Sequence, residues 1–184
     1  MNQIKSRILE DLYRYTGSNK PSWKKKKRLY GWQYSRIWRK ANYYSKRNKL
    51  LFLAYGLLLY WKSKEYGFQV SPYATIGKGF YIGHFGTVIV SDKTVIGDNV
   101  NLSPGVIIGR TNRGRNKGDP TIGSKVWVGG NSVIVGGIKI GDNVLIAPNV
   151  YVNQNIPSDS IVIGNPCTVI HNTEATTGYI NNAI

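Results

Sequence analysis

The stretch VIGDNVNLSPGVII, from Val95 to Ile108, places an aliphatic residue at every sixth position: Ile96, Leu102 and Ile108. The same spacing recurs from Val70 to Val152, at the further positions Ile76, Ile82, Val90, Ile122, Val128, Ile134, Ile140 and Ile146. A period of six fits neither the 3.6-residue turn of a helix nor the two-residue alternation of a flat strand. It predicts a solenoid with three short strands in each turn, in which the aliphatic side chains point inward and stacked turns bury them together.

Two interruptions of this period mark candidate functional segments. Between residues 82 and 90 the spacing is eight, so two extra residues bulge outward around His84. Between residues 108 and 122 the spacing is fourteen, and the intervening segment offers no apolar side chain to the interior. We therefore expect a protruding loop at residues 110–120. Insertions in a repeat often lie on the functional face.

The period, the histidine, the loop and the closing segment IGNPCTV of residues 163–169 occur together in this order. In these features the chain resembles the hexapeptide-repeat acyltransferases, especially the serine acetyltransferase branch and related enzymes found with bacterial polysaccharide genes. The resemblance covers residues 66–170. It implies a mainly β fold, a left-handed parallel β-helix, and an acetyltransferase that uses acetyl-CoA as co-substrate.

We expect three segments: a basic, aromatic-rich helical extension at 1–65, the β-helix domain at 66–170 and a C-terminal tail at 171–184. The charge is concentrated in the first part of the chain. Residues 1–70 hold 17 Lys or Arg and three acidic residues, a net charge of +14, whereas the remaining residues have a net charge of +2. The single cysteine, Cys167, excludes an intramolecular disulfide. No hydrophobic leader is visible near the N-terminus, so we expect a cytoplasmic protein.

The basic extension leaves three interpretations open. It packs on the solenoid and its neighbours, or residues 20–64 attach to an anionic membrane surface at the inner face of the membrane, or its cations and aromatic residues bind nucleic acid. No helix-turn-helix, zinc-finger or RNA-binding signature favours the third interpretation. The apolar run of residues 50–61 is shorter than the roughly 20 residues that a membrane span requires.

His84 is the candidate general base. Transfer of an acetyl group to a hydroxyl requires proton removal, and histidine is the residue type that takes up protons near neutral pH. His84 is the only histidine in the repeat region, and the resemblance aligns it with the catalytic histidine of the family. His171 lies beyond the closing segment, and we expect no catalytic role for it.

The chain departs from the family at the positions that orient the histidine and hold serine. An aspartate before the histidine is replaced by Gly83, a second aspartate by Gln69, and an Arg-His pair before a proline by Gly118-Asp119. Because an amino acid needs charge partners at both ends, these losses favour a different acceptor. We expect O-acetylation of a sugar or a surface polysaccharide precursor. The alternatives are serine O-acetylation in cysteine biosynthesis and, in another class, a non-catalytic scaffold that binds membrane or polymer.

The remaining site predictions concern the two interruptions of the six-residue period and the glycines at the corners of the solenoid. Asp119 is a candidate partner of His84, either in the same chain or across an interface, although an Asp-Pro turn residue is the alternative. Candidate acceptor-binding residues are Phe85, Asp92 and Arg115. Family positions suggest the following contacts to acetyl-CoA: Gly109, Thr111, Gly129, Gly130 and Ala147, with Arg110, Arg113 and Lys125 as cations for its phosphates.

No metal site is predicted, because a catalytic zinc requires about three protein ligands and the coil holds only one histidine. The resemblance implies a homotrimer whose active sites lie between subunits, with His84 of one chain facing the 110–120 loop of the next. Apolar faces carrying Val126-Trp127, Val133 and Val135 are the expected subunit contacts.

Overall fold

The computed structural model describes residues 2–184. The chain begins with four helices: α1 Asn2–Thr16, α2 Trp23–Lys26, α3 Tyr30–Tyr44 and α4 Lys49–Tyr66. Fifteen short strands follow: β1 Phe68–Val70, β2 Thr75–Ile76, β3 Tyr81–Ile82, β4 Val88–Val90, β5 Val95–Ile96, β6 Asn101–Leu102, β7 Val106–Gly109, β8 Thr121–Ile122, β9 Val126–Val128, β10 Val133–Val135, β11 Lys139–Ile140, β12 Val144–Ile146, β13 Tyr151–Val152, β14 Ser160–Ile163 and β15 Thr168–His171.

The strands form three sheets that the chain visits in rotation. Sheet 1 has the order β1-β4-β7-β10-β13, sheet 2 the order β11-β8-β5-β2, and sheet 3 the order β15-β14-β12-β9-β6-β3. All pairs are parallel except β14–β15, which closes the last turn as an antiparallel pair. The result is a β-solenoid of about five turns. The predicted fold class, a parallel β-helix preceded by a basic helical region, is confirmed.

The interior of the solenoid is a column of the predicted hexad residues. Ile82, Leu102 and Ile108 are among the side chains with at most 1% of their surface exposed. Burial of one such side chain contributes roughly 1.5–3 kcal/mol. A single turn cannot cover both of its open faces, so this stabilisation depends on stacking.

The corner between sheet 2 and sheet 3 shows why glycine follows so many hexad residues. A Cβ on Gly97 would lie 2.7 Å from the carbonyl carbon of Gly123 in the next turn, so the glycine is required by close stacking of the backbones. The left-handed conformation occurs two residues later, with φ between 53° and 66° at Gly79, Asn99, Lys125, Asn143 and Asp159. Glycine, Asn and Asp tolerate this conformation, whereas a lysine rarely adopts it.

The helical region caps the first turn of the solenoid. The Trp38 side chain is fully buried, and its Nε1 donates to the Ser71 carbonyl at 2.9 Å. The Tyr34 hydroxyl accepts a hydrogen bond from the Val70 backbone N–H at 3.1 Å. From α1, the Tyr15 hydroxyl accepts from the Ile82 N–H at 2.8 Å, so α1 and α3 both contact the first turn of the solenoid. None of the helices in residues 2–184 has both the length and the apolar character to cross a membrane.

The C-terminal segment folds back onto sheet 3. The Tyr179 ring lies 4.9 Å from the Trp127 ring, and the Asn99 side chain exchanges two hydrogen bonds with the Ile184 backbone, at 2.8 and 3.0 Å. Val126 points into the interior and is fully buried. Of the subunit contacts predicted on this face, Val126 is unavailable because its side chain is internal, and the half-buried Trp127 is partly covered by Tyr179.

Candidate active site

His84 lies in an exposed bulge at the corner between sheet 3 and sheet 1. The bulge is supported by the end of α4: the Gly86 N–H donates to the Tyr66 carbonyl at 2.8 Å, and the Val88 N–H donates to the Gly67 carbonyl at 3.3 Å. The two extra residues of the first register break therefore lie against the helical region. Their position leaves the imidazole accessible to a substrate.

Two glycines permit this close approach. Gly67 ends α4 in the left-handed conformation, with φ 81°, and a Cβ on it would lie 2.9 Å from the Gly86 carbonyl group. Gly86 itself has φ 135°, which a residue with a side chain rarely adopts. Phe85 is mostly exposed, and its ring meets the Tyr30 ring edge to face at 5.8 Å. Tyr30 was not predicted, because sequence spacing carries no signal for a contact between α3 and this bulge.

The second break forms the predicted loop between sheet 1 and sheet 2. Thr111 and Gly118 form an antiparallel bridge across its base. Asn116 fixes the loop to the next turn, because its carbonyl accepts from the Gly137 N–H at 2.8 Å. Arg113, Arg115 and Lys117 are exposed on the loop.

Asp119 lies at the end of this loop and is paired within its own chain. Its carboxylate accepts a hydrogen bond from Arg110 at 2.5 Å and one from the Ser91 hydroxyl at 3.2 Å. His84 and Asp119 occupy different corners of the same solenoid. Contact between His84 and Asp119 therefore stays a prediction, and it would require two adjacent chains. Within the single chain, Asp119 instead closes the loop through Arg110 and Ser91.

The residues predicted to contact acetyl-CoA divide among the three corners. Gly129, Gly130 and Ala147 follow β9 and β12 and share the sheet 3–sheet 1 corner with His84. Gly109, Arg110, Thr111 and Arg113 lie at the sheet 1–sheet 2 corner. Lys125 lies at the third corner, beside a cavity bordered by Glu174 and Thr176 of the C-terminal segment. The first two groups both border sheet 1, whereas Lys125 does not.

A cavity of about 620 Å³ lies between α4 and the first turns of the solenoid. Its lining is mainly apolar and includes Leu59, Tyr60 and Tyr73, together with Lys64 of α4 and Gln69 and Asp92 of the coil. Of the predicted acceptor-binding residues, Asp92 borders this cavity, whereas Phe85 and Arg115 do not. Lys64 was missed, because a single lysine in a basic segment has no distinguishing sequence signal. Within residues 2–184, no three His, Cys, Asp or Glu side chains are grouped as metal ligands.

The chain matches the family model described as "Bacterial transferase hexapeptide (six repeats)" over residues 119–154. This segment therefore carries repeats of the kind that the model describes, and the similar sequences are serine acetyltransferases. It is 36% identical over 104 residues to the serine acetyltransferase of Helicobacter pylori strain ATCC 700392 / 26695, covering 56% of this chain and 61% of that protein. The corresponding enzyme of Staphylococcus aureus strain Mu50 is 38% identical over 104 residues, covering 56% of this chain and 49% of its own length.

Solved serine acetyltransferases share the fold. The soybean apoenzyme superposes with a TM-score of 0.80 at 24% identity, covering 92% of this chain and 70% of that one. Isoform 3 from Entamoeba histolytica, solved in complex with cysteine, superposes with a TM-score of 0.71 at 27% identity. The superposition covers 88% of this chain and 58% of that one. The aligned segment spans about half to three fifths of the curated relatives in sequence. The predicted resemblance is confirmed, and the comparisons support an acyltransferase.

The predicted sugar acceptor is wrong. The homologues and the structural neighbours are serine acetyltransferases, which favours the stated alternative, and none of these matches supports a role in polysaccharide biosynthesis. The argument against serine assumed that charge partners for an amino acid must occupy the family positions. The cavity beside α4 shows that other residues, Lys64 and Asp92, bring opposite charges to one concave surface.

Proposed function

We propose that this protein transfers the acetyl group of acetyl-CoA to the hydroxyl of L-serine, with His84 as the general base. The observation that carries the proposal is the exposed His84 bulge on a solenoid with serine acetyltransferase homologues. The aligned segment of 104 residues spans 61% and 49% of those two relatives.

The chemistry requires one base and no covalent enzyme intermediate. A ring nitrogen of neutral His84 takes the proton of the serine hydroxyl as the oxygen attacks the thioester carbonyl carbon. When the tetrahedral intermediate collapses, the carbon–sulfur bond breaks and the imidazolium returns the proton to the departing CoA sulfur. The products are O-acetylserine and free CoA. A positioned base of this kind typically contributes about 10²–10⁴ to the rate.

The acceptor is proposed to bind in the cavity beside α4. L-Serine carries an ammonium and a carboxylate, and the lining offers the Asp92 carboxylate and the Lys64 ammonium as complementary partners. Gln69 adds an amide that both donates and accepts hydrogen bonds. The mainly apolar remainder of the lining lowers the local dielectric, which strengthens both charge contacts.

The division of the candidate residues between two corners supports a trimer with shared sites. His84, Gly129 and Ala147 line the sheet 3–sheet 1 corner, whereas Asp92, Arg110 and the loop lie at the sheet 1–sheet 2 corner. Sheet 1 joins these corners, and Ile89, Ile107 and Val133 form one aligned aliphatic row across its outer surface. We propose that packing against this row brings one corner of each chain to the other corner of its neighbour, with acetyl-CoA between them.

We propose that Asp119 supports the histidine of the neighbouring chain. In the single chain it holds Arg110, and in the trimer the pair would face His84 of the neighbouring chain. The carboxylate would then favour the imidazolium that forms during transfer. Arg110, Arg113 and Arg115 would provide positive charge for the phosphates of acetyl-CoA.

The deciding experiment is release of CoA from acetyl-CoA in the presence of L-serine, by the wild type, His84→Ala and His171→Ala. Both histidines are exposed, so both variants are expected to fold. Serine-dependent release that falls about 10²–10⁴-fold in His84→Ala and is retained in His171→Ala supports the proposal. No release by the wild type with serine, or equal rates in all three proteins, contradicts it.

A further inference from the structure

The outer face of α4 is an apolar strip that the rest of residues 2–184 leaves largely exposed, although Tyr60 also borders the cavity beside α4. It consists of leucines on successive turns and an aromatic pair at the end: Leu50, Leu53, Leu57, Leu58, Tyr60 and Trp61. Leu50 is 79% exposed, and Leu57 and Trp61 are each 60% exposed. Large apolar side chains in one exposed patch mark an interaction surface, whereas isolated ones do not.

This strip is not an incomplete core, because the opposite face of α4 already packs. Leu59 and Tyr66 are buried on that face. The Tyr55 ring stacks on Tyr44 of α3 at 5.6 Å, and the Tyr34 hydroxyl shares a hydrogen bond with Ser63 at 3.3 Å. At 100° per residue, these inner positions lie on the side of the helix opposite Leu50, Leu57 and Trp61. The helix is thus apolar on both faces, with one face covered by this chain and one uncovered.

Cations flank the strip at both ends. Lys46, Arg47 and Lys49 are exposed where α4 begins. Where it ends, the Lys64 ammonium lies 4.6 Å from the centre of the Tyr60 ring and 5.9 Å from that of Trp61. Exposed Trp and Tyr rings beside lysines are typical of groups that sit at the boundary between lipid headgroups and acyl chains.

The charge distribution decides between a lipid surface and a second copy of this chain. Residues 1–70 have a net charge of +14, so two copies paired through α4 would bring two strongly cationic segments together. Antiparallel pairing would set Lys46, Arg47 and Lys49 opposite Lys64, and parallel pairing would set each cation cluster opposite its own copy. An anionic lipid surface is complementary to both clusters and also covers the leucines.

We propose that α4 lies flat on an anionic membrane surface, with its outer face inserted at the headgroup boundary. The helix is too short and too flanked by charge to cross the bilayer, and insertion of one face does not require it to do so. The leucines of the strip have no role in the proposed reaction, whereas Tyr60 and Lys64 border both the strip and the acceptor cavity.

The test is co-sedimentation of the full chain with vesicles of pure phosphatidylcholine and with vesicles in which about a quarter of the lipid is phosphatidylglycerol. We expect binding to the anionic vesicles that weakens with salt and little binding to the neutral ones. Lys46→Gln/Lys49→Gln should weaken it by about fivefold for each lysine. Lys93→Gln/Lys139→Gln, which removes two exposed charges from the solenoid, is the matched control and should bind like the wild type.

The apolar contribution is tested with Leu53→Ser/Leu57→Ser against Val95→Ser/Ile163→Ser, two exposed positions on the solenoid. All four positions are exposed, and circular dichroism verifies folding. The α4 variant should lose vesicle binding, and the solenoid variant should keep it. Equal binding by both variants, or no binding by the wild type, overturns the proposal. So does a change of oligomeric state in the α4 variant without any wild-type vesicle binding, because a second copy would then cover the strip.

Discussion

The Arg39 guanidinium donates to both carboxylate oxygens of Asp11, at 2.9 and 2.8 Å, and this pair joins α1 and α3 above the first turn of the solenoid. Asp11 also accepts from the Phe80 N–H at 2.9 Å, and Arg39 donates to the Ile76 carbonyl at 2.7 Å. Both side chains are buried, with 0% and 6% exposure. The pair therefore fixes the helical region to the coil through the backbone as well as through charge.

Asp11→Ala should lower the free energy of unfolding by about 3–5 kcal/mol, because it leaves the buried Arg39 charge without its partner. Urea unfolding monitored by tryptophan fluorescence measures the change. Glu10→Ala, which removes a half-exposed ion pair with Arg7 on the same helix, should cost less than about 1 kcal/mol. Equal losses in the two variants would show that the Asp11–Arg39 pair does not fix the helices to the solenoid.

Lys125→Asn should stabilise the protein. Lys125 has φ 53° in a column whose other members are glycine, asparagine or aspartate. The left-handed conformation costs an ordinary L-residue about 1–2 kcal/mol, and asparagine tolerates it better, so a gain of up to about 1 kcal/mol is expected. Thermal unfolding measures it. Lys78→Asn, beside the same column, is the control and should give no gain.

Alkaline pH should destabilise the protein through Tyr15. Burial raises the pKa of the Tyr15 hydroxyl well above 10.0. Its neutral form is therefore favoured in the folded state, and its contribution is complete below pH 10 and is lost as the pH rises through the folded pKa. The free energy of unfolding should decline above about pH 10.

The matched variants separate this effect from general alkaline unfolding. Tyr15→Phe should be less stable at neutral pH, because the hydroxyl bonds both the N–H and the carbonyl of Ile82, yet its stability should decline less steeply above about pH 10. Tyr60→Phe, at an exposed position, should keep the wild-type slope. Identical slopes in all three proteins would remove Tyr15 as the source.

Lys64 and Asp92 should determine how the acceptor is recognised. Lys64→Met should raise KM for L-serine by about tenfold or more, with less effect on kcat, because the loss of a charge-assisted contact costs about 1.5–3 kcal/mol. Relative kcat/KM for L-serine and L-serine methyl ester provides a sharper readout. The wild type should prefer the free carboxylate, and Lys64→Met should lose the preference.

Asp92→Asn is tested by relative kcat/KM for L-serine and 3-hydroxypropionate, because the second acceptor lacks the ammonium group. The preference for serine should shrink in this variant and persist in Lys93→Gln, its neighbour on the solenoid. If wild-type turnover depends on serine but neither cavity variant changes these preferences, the acceptor binds elsewhere while the proposed reaction stands.

The solenoid was predictable because each turn repeats one local requirement. An inward aliphatic residue at Ile96 or Ile122 is visible in the sequence without knowledge of any distant contact, and the register breaks at His84 and the 110–120 loop follow from the same period. The glycine after hexad residues such as Ile96 and Ile122 was also visible, although its main role is close stacking between turns rather than a positive φ.

The cavity that we propose for the acceptor was not predictable in this way. Lys64 and Asp92 come together because α4 lies along the first turns of the solenoid, and no local pattern encodes that packing. The covering of Trp127 by Tyr179 depends equally on a long-range contact. The absence of charged residues at family positions therefore did not exclude serine as the acceptor, since charge can be supplied from a different element.

Because the end of α4 supports the His84 bulge, a fragment that retains the bulge in its native position must include the helices. The carbonyls of Tyr66 and Gly67 accept hydrogen bonds from the backbone of the bulge, and the Tyr30 ring contacts Phe85. A repeat-only fragment beginning at β1 would retain the stacked hexad core but leave the bulge with no external support. Transplanting this histidine onto another solenoid would therefore require α3 and α4 to be moved with it, as one inherited unit.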